Sequence, residues 1–387
     1  MDFTHDDEQQ ALGEAVRGLL ARSYADFENR RRTVADEPGF DEKTWARLAE
    51  MGVLGLPFAE EYGGMGAGPV EVGVVAQELG RVLAPEPFLA SVVLAGGVVA
   101  AAGTAQQKGE VLGDLASGAS VLAFAHAEPG ARWVPSAAGV TAAESADGWT
   151  LSGVKEPVPH GARADLLVVS AAVPGSGTGL FLVSPGATGL ARDGYRTFDG
   201  GRAARVALDA TPAVPLGEAG TDRTSTIAGV LDGARIAACN EALGAMEVAL
   251  STTSGYLKTR KQFGVPLSTF QSLTFRAADM YVSLEMARSV TLWATMVLAA
   301  ASDGGPDENR EVAEAASRAA LQVSRAGRHI GQEAVQLHGG IAMTAEYSVG
   351  SYTSHLTALD HLLGDGGFHL ARLAAAVGGH GEVDPLP

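Results

Sequence analysis

The stretch Tyr256-Leu-Lys-Thr-Arg-Lys-Gln-Phe-Gly-Val-Pro-Leu-Ser-Thr-Phe-Gln271 separates two long helical patterns. Apolar and small residues recur at helical spacing over residues 227–257 and again over 273–284. Gly264 and Pro266 lie between the two patterns, and both residue types interrupt helices. The stretch therefore predicts a helix–turn–helix connection, with the second helix beginning near Gln271.

A basic cluster, Lys258, Arg260 and Lys261, lies at the predicted end of the first helix. Cations are favourable at a helix C-terminus, so the cluster is explained by the helix alone. A second interpretation is an anion site, in which the Arg260 guanidinium forks onto a phosphate and Gln271 offers a neutral amide. The spacing leaves both interpretations open.

Several segments resemble the acyl-CoA dehydrogenase family. They are Arg260-Lys-Gln-Phe-Gly-Val-Pro-Leu267, Phe270-Gln271, Ala278-Asp-Met280, Gln336-Leu-His-Gly-Gly340, Leu48-Ala-Glu-Met-Gly-Val-Leu-Gly-Leu-Pro57 and Glu60-Glu-Tyr-Gly-Gly64. The resemblance spans nearly the whole chain. It implies a helical domain, a β-domain and a second helical domain, with FAD bound across a subunit interface.

The resemblance also assigns roles to individual residues. The positions that reach the pyrophosphate and adenosine of the neighbouring subunit's FAD are intact; they are Arg260, Phe263, Gln271, Gln336, Gly339 and Gly340. Arg235 matches as well, and two roles remain open for it: orienting the substrate or pairing with Asp232. An acyl-CoA substrate and a homologous or identical partner subunit, in a dimer or tetramer, are implied.

The composition argues against polyanionic partners, whereas a role in lipid metabolism is implied only by the resemblance. The chain has 387 residues and a formal charge of −17, which argues against nucleic acid or an anionic membrane as a partner. Its one cysteine, Cys239, excludes an internal disulfide, and the acidic N-terminus does not resemble a signal peptide. We expect a cytoplasmic protein without a metal site.

The apolar periodicity divides the chain into three parts. We expect an α+β protein of the acyl-CoA dehydrogenase type, with an N-terminal helical domain (1–117), a middle antiparallel β-domain (118–221) and a C-terminal four-helix bundle (222–387). Short aliphatic segments separated by turn residues predict the strands. They lie at 120–125, 149–152, 164–170, 179–184 and 204–209.

The catalytic base of the family is missing. In the family it is a Glu before a Gly near the C-terminus, where this chain has Leu363, or a Glu early in the first long helix of the bundle, where it has Ala234. Neither side chain accepts a proton. Asp365 is the nearest substitute, and it is also placed to cap the last helix. The catalytic residue therefore remains unassigned.

The flavin contacts of the β-domain have changed too. Ala127 and Pro159 replace hydroxyl residues, Pro157 replaces an aromatic residue, and Trp133 replaces a small polar one. Proline also lacks the backbone N–H that could bond a flavin ring. Two nearby histidines, His126 and His160, are expected to be structural, as isolated histidines beside turns usually are.

The combination resembles the subunit of a two-chain α₂β₂ acyl-CoA dehydrogenase that supplies the cross-interface half of the FAD site, as in assemblies that act on bulky acyl-CoA thioesters such as those with a steroid side chain. Two alternatives remain. The chain could be an autonomous dehydrogenase that uses Asp365, or a flavin-free oligomeric scaffold.

Overall fold

The computed structural model describes residues 5–301, 305–344 and 347–379. Helices come first. They are α1 (Asp7–Tyr24), α2 (Phe27–Ala35), α3 (Glu42–Glu50), α4 (Pro69–Val82), α5 (Gly97–Ala102) and α6 (Ala105–Ala116), with a π-helical segment at Phe88–Gly96 that leads into α5. Asp41 caps α3 by accepting the backbone N–H of Lys43 at 3.1 Å, because a carboxylate there satisfies an amide that lacks an intrahelical partner.

A small β-sheet follows. Its strands are β1 (Leu122–Ala125), β2 (Thr141–Ser145), β3 (Gly148–Pro159), β4 (Leu166–Val173), β5 (Gly177–Val183), β6 (Leu190–Arg196) and β7 (Arg202–Pro215). The sequence analysis predicts an antiparallel sheet, but the sheet is mixed. Strand β4 pairs in parallel with β1 and with β2. Strands β2, β3, β7, β5 and β4 pair in turn and close the sheet on itself.

The C-terminal region is the predicted helical bundle. Its elements are α7 (Thr224–Thr259), β8 (Lys261–Gln262), β9 (Val265–Pro266), α8 (Gln271–Ala300), α9 (Pro306–His338), α10 (Val349–Leu362) and α11 (Gly366–Ala376). The predicted architecture of helices, β-domain and helical bundle is thus confirmed. Within the described ranges, no helix is both long and apolar enough to span a membrane.

Two glycines bring α4 and α7 into backbone contact. A Cβ added at Gly80 would lie 1.9 Å from the carbonyl oxygen of Glu241, and one at Gly244 would lie 2.0 Å from that of Gln77. Any larger residue at either position would force the helices apart. The close approach fixes the N-terminal helices on the bundle and places Glu241 at the junction.

Candidate functional site

The turn after α7 exposes part of the predicted cross-interface set. Lys261 and Gln262 pair with Pro266 and Val265. Phe263 and Gly264 connect them with φ values of +55° and +83°, as in the two-residue turns that match the twist of a hairpin. The Phe263 side chain is 92% exposed at the tip of this turn. Its one described ring contact is an edge-to-face one with Phe270, with centroids 6.1 Å apart, so most of the ring is open to a partner.

The second predicted motif lies at the same end of the bundle. Gly339, at φ +68°, ends α9. The ring of His338 stacks on Tyr256, one turn before Arg260, with centroids 4.5 Å apart. This contact joins the ends of α7 and α9. All six predicted residues are exposed, and they form what we call the bundle-end patch: Arg260, Phe263, Gln271, Gln336, Gly339 and Gly340.

Within the bundle-end patch, the guanidinium of Arg260 is exposed and no described side chain bonds it. Helix α8 begins beside it at Gln271, after Phe270, which provides no side-chain cap. The Leu273 and Thr274 N–H groups bond the Phe270 carbonyl, whereas those of Gln271 and Ser272, the first two of this 30-residue helix, have no described acceptor. Uncapped helix N-termini attract anions through these N–H groups and the helix dipole.

An apolar stripe continues from the bundle-end patch along α8. Phe275, Val282 and Met286 are 54–59% exposed, and their spacing places them on one face of the helix. Ile341 and Met343, just after α9, are also exposed. A group of large apolar side chains on a surface indicates a contact with another protein, whereas single exposed apolar side chains are common and carry no such meaning.

Both positions of the missing base are packed into the protein core. Ala234 is fully buried and Leu363 is 8% exposed. The two belong to the same hydrophobic cluster as Phe88 and Leu89 of the N-terminal region. These positions contribute packing and have no group that could accept a substrate proton.

Arg235 lies beside them in an ion pair. Its Nη1 donates to Asp232 Oδ1 at 2.6 Å and its Nε donates to the Leu363 carbonyl at 2.8 Å. Arg372 donates to the same Asp232 oxygen at 2.9 Å. Burial lowers the pKa of Arg235, although Asp232 opposes this shift. The structure thus shows the pairing with Asp232, and substrate binding by Arg235 stays a prediction.

Asp365 caps α11. Its Oδ1 accepts the backbone N–H of Phe368 at 2.8 Å. The carboxylate therefore already stabilises a helix N-terminus. The geometry offers no support for Asp365 as a base, and that role also stays a prediction.

Trp133 connects the β-domain to this end of the bundle. Its Nε1 donates to the His361 carbonyl at 3.2 Å, and its ring lies 5.5 Å from that of Phe368. The Arg235 guanidinium also lies over the Phe368 ring, 5.5 Å from the centroid. Aromatic and cation–π contacts of this kind each contribute about 0.5–1.5 kcal/mol. The loop after β1 is thereby held against the α10–α11 turn.

A buried lysine holds the base of that loop. Lys155 Nζ donates to Glu128 Oε1 at 2.7 Å, and to the His126 carbonyl and Ser170 Oγ at 3.0 Å each. Both ring nitrogens of His126 are hydrogen-bonded, to Ser170 Oγ and the Val134 carbonyl. Burial, with Lys155 nearby, lowers the pKa of His126 to about 4. A neutral, fully bonded His126 is structural.

A cavity of about 370 Å³ opens where the three regions meet, and we call it the interdomain cavity. Pro157 and Pro159 of β3 line it on one side. Its apolar wall includes Leu79, Ala84, Pro87, Phe88, Leu89 and Leu362. Ionisable side chains also line it, among them Arg30, Glu86, Arg132, His160, Asp199, Arg202, Glu241 and His355. The volume is within the range of small-molecule sites.

His355 links two carboxylates within this lining. Its Nδ1 is 3.1 Å from Asp199 Oδ2 and its Nε2 is 2.9 Å from Glu241 Oε1. Burial lowers the pKa of His355, but the two carboxylates outweigh burial and raise it to about 9. The imidazole is therefore protonated at neutral pH and fastens α10 to both α7 and the β-domain.

We predict a pH dependence of stability from this pair of bonds. The folded pKa of about 9 lies above the ordinary 6.5, so the stabilisation is complete below pH 6.5 and is lost as the pH rises through 9. Urea unfolding at pH 6.5 and 9.5 should show that wild type loses roughly 2–3 kcal/mol more than His355→Gln does. Equal losses in the two proteins would refute the bridge.

The sequence analysis did not identify Glu86 or the three residues Asp199, Glu241 and His355. His355 lies 156 positions after Asp199 and 114 positions after Glu241, and none of the three belongs to a local pattern. The one sequence signal is that Glu241 lies seven residues, or two helical turns, after Ala234 on α7. This spacing places both residues on the same face of the helix.

Comparisons with known proteins decide the family. Residues 6–119 match the model of the acyl-CoA dehydrogenase N-terminal domain, and residues 224–378 match that of the C-terminal domain. The chain belongs to the acyl-CoA dehydrogenase family. Acyl-CoA dehydrogenase FadE28 of Mycobacterium tuberculosis is 30% identical over 97% of this chain and 98% of its own. Probable acyl-CoA dehydrogenase YngJ of Bacillus subtilis is 28% identical over 97% and 99%.

Two solved structures are similar throughout. A variant of the Tcur3481–Tcur3483 steroid ACAD has a TM-score of 0.86 and 34% identity, and the match covers 96% of this chain and 98% of that one. The ChsE4–ChsE5 complex of Mycobacterium tuberculosis has a TM-score of 0.87 and 26% identity, covering 99% and 100%. The chain is therefore an FAD-dependent oxidoreductase of the acyl-CoA dehydrogenase type.

The residues of this acyl-CoA dehydrogenase fit FAD unequally. The bundle-end patch offers an exposed arginine and the N-terminus of α8, both suited to a pyrophosphate. In the β-domain, by contrast, Ala127, Pro157 and Pro159 carry no hydroxyl, and the two prolines have no N–H. Trp133 is already packed against Phe368. The β-domain therefore does not fit a flavin ring.

Proposed function

We propose that this chain is the subunit of an acyl-CoA dehydrogenase assembly that supplies the cross-interface half of the FAD site to a partner. The observation that carries the proposal is an asymmetry. The bundle-end patch is exposed and keeps the residues of the family, whereas both expected positions of the catalytic base hold apolar residues that pack in the core. Leu363 and Ala234 are core residues, whereas Arg260 has no partner among the described residues.

The surface supports assembly through the C-terminal helices. Phe275, Val282 and Met286 add exposed apolar side chains along α8, the helix that begins in the bundle-end patch. A partner that covers this face would bring its own flavin against Arg260 and Gln271. The two solved relatives described above are each named as a pair of chains.

Three residues of the bundle-end patch have a stated physical role in this proposal. Arg260 donates a bidentate pair of hydrogen bonds to phosphate oxygens, and the first N–H groups of α8 add to the positive potential. Gln271 offers a neutral amide, and Phe263 provides an exposed ring for stacking. Bound FAD would supply the hydride acceptor for dehydrogenation. This chain would hold its phosphate end and leave the base to the partner.

For the substrate, we propose an acyl-CoA thioester with a bulky acyl group. The similarity to a protein described as a steroid ACAD supports a steroid side chain as that group.

Arg260→Ala is expected to weaken FAD binding in the assembly by about tenfold to hundredfold. The reason is the loss of a charge-assisted hydrogen bond, which contributes roughly 1.5–3 kcal/mol. The dissociation constant of FAD, measured by flavin fluorescence on the co-purified complex, checks this expectation.

Lys258→Ala is the matched control, because it removes a cation from the same helix end without touching the proposed phosphate contact. Arg260→Lys keeps the charge and loses the planar fork, so we expect an intermediate affinity. If Arg260→Ala and Lys258→Ala have the same small effect on FAD affinity, Arg260 serves only the C-terminus of α7.

A further inference from the structure

Two contacts fix how the helices α8 and α9 lie against each other. Arg276 Nη2 of α8 donates to Glu333 Oε1 of α9 at 2.9 Å. Further along, the Arg318 guanidinium of α9 lies over the Trp293 ring of α8, 5.7 Å from its centroid. The order of these contacts shows that the helices are antiparallel, and the parts of α8 and α9 between them lie side by side.

Between these contacts, α8 presents apolar side chains and α9 presents arginines. Met286 lies two helical turns before Trp293, so the two share one side of α8. Arg325 lies two turns after Arg318, so they share one side of α9. Because Trp293 and Arg318 meet, and both helices rise equally per residue, Met286 and Arg325 lie level with each other on the same outer surface.

We call this surface the α8–α9 face, and its members are all exposed. They are Phe275, Asp279, Val282, Met286, Arg325 and Arg328. Its three apolar side chains are 54–59% exposed. Neither arginine of the face has a bonding partner among the described residues, and Asp279 is the one carboxylate of the face.

The charge of the α8–α9 face is opposite to that of the whole chain. The chain has a formal charge of −17, yet Arg325 and Arg328 are unpaired cations within the described residues. Lys258 and Lys261, at the adjoining end of the bundle, are also exposed and have no described partner. A positive surface of this kind favours a partner surface of negative potential.

We propose that the α8–α9 face binds the base-bearing partner subunit through an apolar surface flanked by acidic side chains, and that Arg325 and Arg328 favour this partner over a second copy of the chain. This rests on the proposed function, which supplies the partner, and adds the chemistry of the partner's surface. A second copy would bring the same positive face to a two-fold contact, so like charges would oppose it.

Arg325→Glu combined with Arg328→Glu tests the charge of the partner. At about 0.05 M NaCl the variant is expected to bind the co-purified partner about tenfold to hundredfold more weakly, since each reversal turns an attraction into a repulsion. Near 0.5 M NaCl the loss should shrink to less than about threefold, because salt screens exposed charges. Sedimentation equilibrium of the complex at both salt concentrations gives the dissociation constant.

Arg22→Glu combined with Arg47→Glu is the matched control. It makes the same change in net charge at exposed positions of α1 and α3, away from the α8–α9 face. We expect it to change the dissociation constant of the complex by less than about threefold at either salt concentration.

Arg325→Gln combined with Arg328→Gln tests the choice between the partner and a second copy. Neutral side chains remove the repulsion between two copies, so the dimer fraction of the isolated chain should rise. Arg22→Gln combined with Arg47→Gln should leave that fraction unchanged. Sedimentation of the isolated chain measures both.

The proposal is overturned if the reversal on the α8–α9 face weakens the complex no more than the control does, if its effect persists at high salt, or if the isolated wild-type chain binds itself as tightly as it binds the partner. Flavin absorbance of the same complexes reports the proposed function separately. A complex without FAD that shows the expected salt dependence would contradict the proposed function alone, whereas the absence of any complex would contradict both.

Discussion

The isolated chain, saturated with FAD, is expected to dehydrogenate acyl-CoA thioesters at least 10²–10⁴-fold more slowly than an assembly with a base-bearing partner. Leu363 and Ala234 cannot take the α-proton, and both are sealed into the core. A general base typically contributes a factor of this size. Steady-state assays with short-chain, long-chain and steroid acyl-CoA substrates measure the difference.

Adding a carboxylate is not expected to restore the activity. Leu363→Glu returns a base to the family position, but Pro157 and Pro159 still give a flavin ring no hydroxyl and no N–H. Without a held ring, the geometry for hydride transfer is absent. Turnover by the isolated wild-type chain that Asp365→Asn abolishes, with the fold intact, would show instead that Asp365 is the base.

Lys155→Met is expected to have the largest effect on stability, lowering the free energy of unfolding by roughly 3–5 kcal/mol. Lys155 is fully buried and its ammonium bonds Glu128 at 2.7 Å. Burial raises the pKa of Glu128, but Lys155 and backbone N–H groups outweigh it and lower the pKa to about 2. Removing the lysine therefore leaves a buried carboxylate without its counter-charge.

Urea unfolding compares Lys155→Met with Lys43→Met, which makes the same change at an exposed position and should shift stability by no more than about 0.5 kcal/mol. The double variant Lys155→Met with Glu128→Leu should regain part of the loss, because no unpaired charge remains. Equal stability of Lys155→Met and Lys43→Met would contradict this account of the buried pair.

Local patterns predicted the helices and several strands well. The turn at Phe263–Gly264, the start of α8 at Gln271 and the cap at Asp365 all follow from the sequence. Strands β2 and β6 were missed, because most of their residues are exposed and show no apolar alternation. The parallel pairing of β1 with β4 was also missed, since strand direction depends on partners distant in sequence.

The candidate site, like the fold, was predicted from the sequence only in part. The resemblance identified the residues of the bundle-end patch, and the structure places them at one end of the bundle. The interdomain cavity could not be predicted, since Glu86, Asp199 and His355 come from three regions and meet only in the folded chain. No sequence pattern indicates a buried carboxyl group that has one oxygen without a hydrogen-bond partner.

The central claim is that this chain lends half of an FAD site and has no complete site of its own. The most direct test is the flavin content of the chain purified alone and co-expressed with the product of the neighbouring gene, from flavin absorbance and protein concentration. The account predicts almost no FAD in the chain alone and one FAD per two chains in the complex. One FAD per chain in the isolated protein would contradict it.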